Sequence, residues 1–157
     1  MGKPASWTVS DLFTTPRVRS TYRRRHGHSS DIYRLSGFTS NLTASLDFYR
    51  LLGLPVPDAD APHVVVELPG GNTLSFDNEE TIAAMHPDWA APRSSHSRLA
   101  LALGVGTPGE VDALFEKVTA AGYSGVLTPY DAPWQQRYST VADPDDNWVD
   151  LFAPLES

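Results

Sequence analysis

Two stretches of this chain carry the same local instruction 75 residues apart. PGGNTLSFD (residues 69–77) aligns with PDDNWVDLF (residues 144–152), each a Pro-x-x-Asn turn that launches a strand. Side chains alternate between the two faces of a strand. In the second copy Val149 and Leu151 therefore share one face, and Trp148, Asp150 and Phe152 share the other. Ser75 takes the place of Asp150 in the first copy. A carboxylate between two aromatic rings suits the wall of a cavity better than a core. A repeated turn and strand also restrict the fold, because each half must build the same unit.

The rest of the chain fits that plan. Residues 32–39 read as a strand with Arg34, Ser36 and Phe38 on one face. Ser40 or Asn41 caps a helix whose apolar stripe is Leu42, Leu46, Tyr49 and Leu52, and Gly53 stops it. Pro55 and Pro57 mark a turn, with room for a short strand around residues 54–56. Residues 63–68 and 73–76 form a hairpin around the Pro-Gly-Gly-Asn turn. Residues 78–97 break the pattern, with one or two helical turns at 79–86 and then a Pro- and Ser-rich run. Such a connector reads either as a plain crossing or as a cover that brings Trp89 onto a site. The second pass starts where Leu99, Leu101 and Leu103 alternate with Arg98, Ala100 and Ala102. Thr107-Pro108-Gly109-Glu110 is a capping box with proline at the first helical position. The helix stripe is Val111, Leu114, Phe115 and Val118, closed by Gly122. Strands at 125–129 and 137–142 flank a Pro133-Trp134 turn and lead into the opening stretch. The organisation expected is a basic extension at 1–30, a first module at 31–77, a linker at 78–97 and a second module at 98–157, with 31–157 forming one structural domain.

Charge excludes some partners. The net charge is −7, but six basic side chains against Asp11 leave residues 1–30 at +5 and the remainder at −12. An acidic body repels nucleic acid and favours neutral or cationic ligands. No apolar run approaches the roughly 18 residues that span a bilayer. With no cysteine in the chain, disulfides and thiolate chemistry are excluded, and a cytoplasmic location is expected. There is no Gly-rich phosphate loop and no nucleophile elbow. His63 and Glu67 alternate onto one strand face but stand roughly 13 Å apart at about 3.3 Å per residue, too far for an acid–base pair.

A duplicated β-α-β-β-β unit with LDFYRLLGL after its first strand, AAGY at its second helix end and PWQQRYSTVADPDDNWVDLF resembles the vicinal oxygen chelate superfamily. That group holds glyoxalases, extradiol dioxygenases and bleomycin-resistance proteins. The resemblance covers residues 32–154 and implies an α+β fold: two tandem βαβββ modules forming a curved mixed sheet around a concave cavity, often completed by a homodimer. Catalytic members hold a divalent metal with His, Glu or Gln on the first and last strands of each module. The corresponding positions here are Arg34, Ser75, Arg98 and Asp150. A guanidinium has no lone pair for a metal and serine is a weak ligand, so no metal and no cofactor are expected.

Arg34, Arg98 and Asp150 then either pair with one another or orient the polar edges of a ligand. Phe38, Trp148 and Phe152 are expected on the cavity side, with Trp89, Tyr130 and Trp134 at its rim. Stacking rings with few titratable groups suit a planar aromatic guest. This pattern is similar to that of the drug-sequestering members, which bind an antibiotic and break no bond. The competing expectations are a glyoxalase-like metal lyase, isomerase or dioxygenase with rearranged ligands, a metal-free enzyme using Asp150 as base, and a macromolecular partner recruited through the basic extension.

Overall fold

The structure, a computed structural model, describes residues 34–58, 61–91 and 98–155. The basic extension at 1–30 and the Ser-rich end of the linker, including His96, lie outside the described residues. The elements run β1 (Arg34–Thr39), α1 (Leu42–Leu51), β2 (His63–Glu67), β3 (Thr73–Asn78), α2 (Glu79–Met85), β4 (Ala100–Gly104), α3 (Pro108–Ala120), β5 (Ser124–Ala132), β6 (Gln136–Ala142) and β7 (Trp148–Pro154).

The two long helices start and stop as their sequences dictate. The Asn41 side chain accepts from Ala44 N at the head of α1, and Thr107 with Glu110 forms the full capping box of α3. Both helices end in the same hydrogen-bonded motif. Gly53 N donates to Arg50 O and Leu54 N to Tyr49 O, while Gly122 N donates to Thr119 O and Tyr123 N to Val118 O. The two glycines sit at φ +90° and +92°, a backbone that a side chain would strain.

The strands form two mixed sheets, ordered β1-β3-β2 and β4-β7-β6-β5. In each, the first strand lies parallel to the last strand of its module, and the remaining pairs are antiparallel. The halves thus share one plan, but the short strand with room at residues 54–56 is absent. Val56 N donates to Leu54 O at 2.8 Å, closing a tight turn. Pro55 and Pro57, which carry no N–H, leave that segment without the donors that a sheet ladder needs. The repeated turns match atom for atom: Leu68 N donates to Asn72 O and Gly71 N to Leu68 O, as Asp143 N does to Asn147 O and Asp146 N to Asp143 O. Positive φ falls on both Gly70 (95°) and Gly71 (88°) in one copy but only on Asp146 (63°) in the other.

One apolar core joins the halves. Phe48 of α1 is fully buried, with its ring 5.1 Å from Tyr49 and 5.0 Å from Tyr123. Val64, Val66, Leu74 and Phe76 line the core from the first sheet, and Val141, Val149, Leu151 and Ala153 from the second. α3 contributes Val111 and Val118. The opposite sheet faces are more polar, with Thr73, Ser75, Asp77 and Thr140 buried on them, and they carry the residues that the alternation assigned to a cavity wall. Among the described residues no helix is long and apolar enough to cross a membrane.

Phe48→Ala should therefore cost about 3–5 kcal/mol of unfolding free energy, as loss of a buried aromatic does. Urea denaturation checks it, and a loss under 1 kcal/mol would mean that the two halves do not share this core.

Candidate functional site

The turn between β6 and β7 is where the second module grips the first. Asp143 Oδ1 accepts from Asp145 N and Asn147 N at 2.9 Å each, and its Oδ2 accepts from Asn147 Nδ2 at 3.0 Å and Tyr49 Oη at 3.1 Å. Asp145 reaches across to the β1–α1 junction. Its Oδ1 accepts from Ser40 N at 3.1 Å and Ser40 Oγ at 2.7 Å, and its Oδ2 from Ser45 Oγ at 3.2 Å. Ser45 and Thr39 exchange a 2.7 Å hydroxyl bond beneath it.

The two carboxylates titrate in opposite directions. Burial raises Asp143 and its four accepted bonds offset that only in part. Burial also works to raise Asp145, but the bonds from Thr39, Ser40 and Ser45 outweigh it and leave the group below its usual value. The Tyr49 phenol, buried and facing Asp143, is pushed far above its ordinary range.

Beside this turn lies a cavity of about 250 Å³. Five consecutive residues of β1, 35–39, line it, as do residues 99–101 at the start of β4. Consecutive residues point to alternate faces, so the cavity follows the strand edges rather than one sheet face. β1 and β4 are the edge strands of their sheets, and the cavity is the gap between them. Five aromatic residues line it: Phe38 on β1, Tyr49 on α1, Phe76 on β3, Trp89 beyond α2, and Trp148 at the head of β7. Phe38 and Trp89 meet edge to face at 6.0 Å. α2 follows β3 directly, Asn78 caps it through Thr81 N, and Ile82 anchors it. The linker therefore brings Trp89 onto the cavity, a placement that both readings of the linker allow. Tyr49, Asp143 and Asp145 form the polar end, and Glu79 joins the wall from the first turn of α2.

Of the residues assigned to a ligand from sequence, Phe38, Trp89 and Trp148 line this cavity; Arg34, Arg98, Tyr130, Trp134, Asp150 and Phe152 do not. Arg34 is exposed, with Nε donating to Thr73 Oγ1 at 3.3 Å. Arg98 is exposed and precedes β4. Among the described residues neither arginine pairs with Asp150, which accepts from Thr140 Oγ1 at 2.8 Å. Burial and Asp150 together push the Tyr138 phenol up to about 12. Tyr130, Trp134 and Tyr138 form their own edge-to-face cluster, with centroids 5.5–6.3 Å apart, at the β5–β6 hairpin. Phe152 lies against Gly104, where a Cβ would come within 3.2 Å of the ring.

The four positions that correspond to metal ligands do not fit an ion. Two are guanidiniums, and Ser75 is fully buried with its hydroxyl 2.8 Å from that of Ser36. Asp150 alone offers a carboxylate. Among the described residues no three of His, Cys, Asp and Glu gather to hold a metal. His63 pairs with Asp77 at 2.7 Å rather than with Glu67.

Sequence reasoning missed Glu79, Tyr49, Asp143, Asp145 and the core-facing side of β1. Alternation assigns every second residue of a strand to a site, whereas a gap between two edges takes residues from both faces. No local pattern announces that.

Comparison with known proteins agrees with this architecture. Residues 32–151 match the model of the Glyoxalase/Bleomycin resistance protein/Dioxygenase superfamily. No curated protein matches the chain. A glyoxalase/bleomycin resistance protein/dioxygenase from Nocardioides superposes with a TM-score of 0.66 at 26% identity, over 82% of this chain and 86% of that one. A glyoxalase-related enzyme from Fulvimarina pelagi gives 0.68 at 21% identity, over 80% and 88%. A hypothetical protein from S. aureus gives 0.67 at 20%, over 81% and 95%.

Two outcomes test the turn. Asp145→Ala removes three accepted hydrogen bonds and should cost about 2 kcal/mol, the scale of lost hydrogen bonds to a charged group; chemical denaturation would show no change if the contact were incidental. The phenols set an alkaline limit. An unfolded tyrosine ionises near 10, whereas folded Tyr49 and Tyr138 stay protonated there, so the unfolded chain binds fewer protons and stability falls as pH rises past 10. Tyr49→Phe should flatten that fall in a pH series of melting curves, and an unchanged slope would contradict the burial of its hydroxyl.

Proposed function

The chain belongs to the glyoxalase/bleomycin resistance protein/dioxygenase superfamily, and we propose that within it this protein binds a planar aromatic small molecule and holds it without chemistry. The guest would be an antibiotic or related natural product, withheld from its target. One observation carries this reading: five aromatic residues line the gap between β1 and β4, and three of them, Phe38, Trp89 and Trp148, come from separate segments outside the buried core. Rings of this kind supply large apolar contact and favour stacked or edge-on partners. Their polar neighbours Tyr49, Asp143 and Asp145 are taken up by the turn and the module contact. They hold the walls in place, and their oxygens are engaged within the fold rather than free for a guest. The metal-ligand positions, filled by Arg34, Ser75, Arg98 and Asp150, support binding over metal-dependent turnover by the chemistry of their side chains.

A homodimer is part of the same reading. Trp134, Phe38 and Trp148 remain 55%, 42% and 37% exposed, more aromatic surface than an isolated subunit would favour leaving in water. Light scattering at micromolar concentration addresses that point.

Titration calorimetry against a panel of planar antibiotics, with and without chelator, tests the main proposal. Binding should be unaffected by chelator, and the compound should be recovered unchanged. Trp148→Ala should weaken it about fivefold or more, the value of one lost ring contact. Chelator-sensitive affinity or a chemically altered guest would replace this reading with a catalytic one.

A further inference from the structure

Glu79 is the ionisable group on the cavity wall that the fold does not use. Tyr49, Asp143 and Asp145 are tied into the turn, but the half-buried Glu79 side chain makes no hydrogen bond or ion pair with any described residue. Among the described residues no Lys, Arg or His lines the cavity. A carboxylate removed in part from water, beside apolar rings, is left there to pair with whatever enters. Acids in the first turn of a helix do favour its dipole. Glu80, one residue on and exposed, serves α2 in that way without facing the cavity.

We propose that Glu79 selects the charge of the guest: the cavity takes a planar aromatic cation, an amine- or amidine-bearing ring system, in preference to its neutral counterpart. This rests on the gap between β1 and β4 being a binding site. Phe38, Trp89 and Trp148 line the same cavity, and aromatic rings attract a cation in a way that neutral stacking alone would not distinguish. Asp143 and Asp145 accept all their hydrogen bonds from the protein, yet add negative potential to the same wall. Shape and rings then set what fits, and Glu79 sets its charge.

The experiment uses the full chain and two tricyclic probes of nearly equal outline, proflavine (cationic at neutral pH) and acridone (neutral), followed by calorimetry at low and physiological salt. The wild type should bind proflavine about tenfold more tightly than acridone, the scale of a charge-assisted contact with cation–π support. Glu79→Gln should remove that preference while leaving acridone affinity within twofold, and Glu80→Gln should leave both affinities as they are. Trp148→Ala should weaken both probes, which locates them at this cavity. Equal affinities in the wild type, or a preference that survives Glu79→Gln, overturn the charge assignment and leave the binding proposal standing. A preference lost equally in Glu80→Gln assigns it to the general field of the protein and overturns the role of Glu79. If neither probe binds, the inference and the reading beneath it fail together.

Discussion

The contact on which the rest depends is the seating of Asp145 on the β1–α1 junction. A hairpin turn is ordinarily a free end. Here it reaches the other half of the molecule, satisfying Ser40 N, Ser40 Oγ and Ser45 Oγ with one carboxylate. Asp143 makes this feasible by folding the turn around its own oxygens and taking the Tyr49 hydroxyl from α1. Burial dominates at Asp143 and hydrogen bonding at Asp145, so two neighbouring acids end with opposite shifts. Trp148 follows the turn immediately and inherits its placement. The scaffold contact and the cavity wall are therefore one piece of chain.

The duplication makes the asymmetry of that contact visible. Both copies of the turn close with the same backbone bonds, but both central residues are left-handed in the first and only Asp146 is in the second. Gly70 stands where the second copy has Asp145, so only one of the two turns carries the carboxylate that bridges the halves. Glycine at both central positions satisfies the backbone and nothing else. Aspartate satisfies it at the positive φ of Asp146 and, at Asp145, adds a cross-module anchor.

Much of this was legible in the sequence, for local reasons. Caps, helix stops and strand alternation depend on neighbours a few residues apart, and they placed Asn41, Gly53, Thr107, Gly122 and the two faces of β7 correctly. The short strand at 54–56 was misjudged because apolar residues between prolines resemble a strand in composition while lacking its donors. The aromatic rim was only partly legible for a different reason. Tyr130 and Trp134 find Tyr138 across their own hairpin, a pairing set by register and bulges rather than by residue type. Glu79 reads as an ordinary first-turn acid until β3 runs into α2 without a loop and delivers it to the gap.

The family plan is present here, and three of the four positions that the resemblance aligned with metal ligands are engaged within the fold. Ser75 is spent on Ser36, Asp150 on Thr140, and Arg34 on Thr73. Between them the two sheet margins remain without a strand to join them. A margin of this kind presents main-chain amides and carbonyls whose positions are fixed by the ladder on the other side. A guest lodged there would meet polar groups that only a proline, which removes an amide, can delete. The specificity of such a pocket would then be open to rewriting side chain by side chain, with the main-chain contribution held constant.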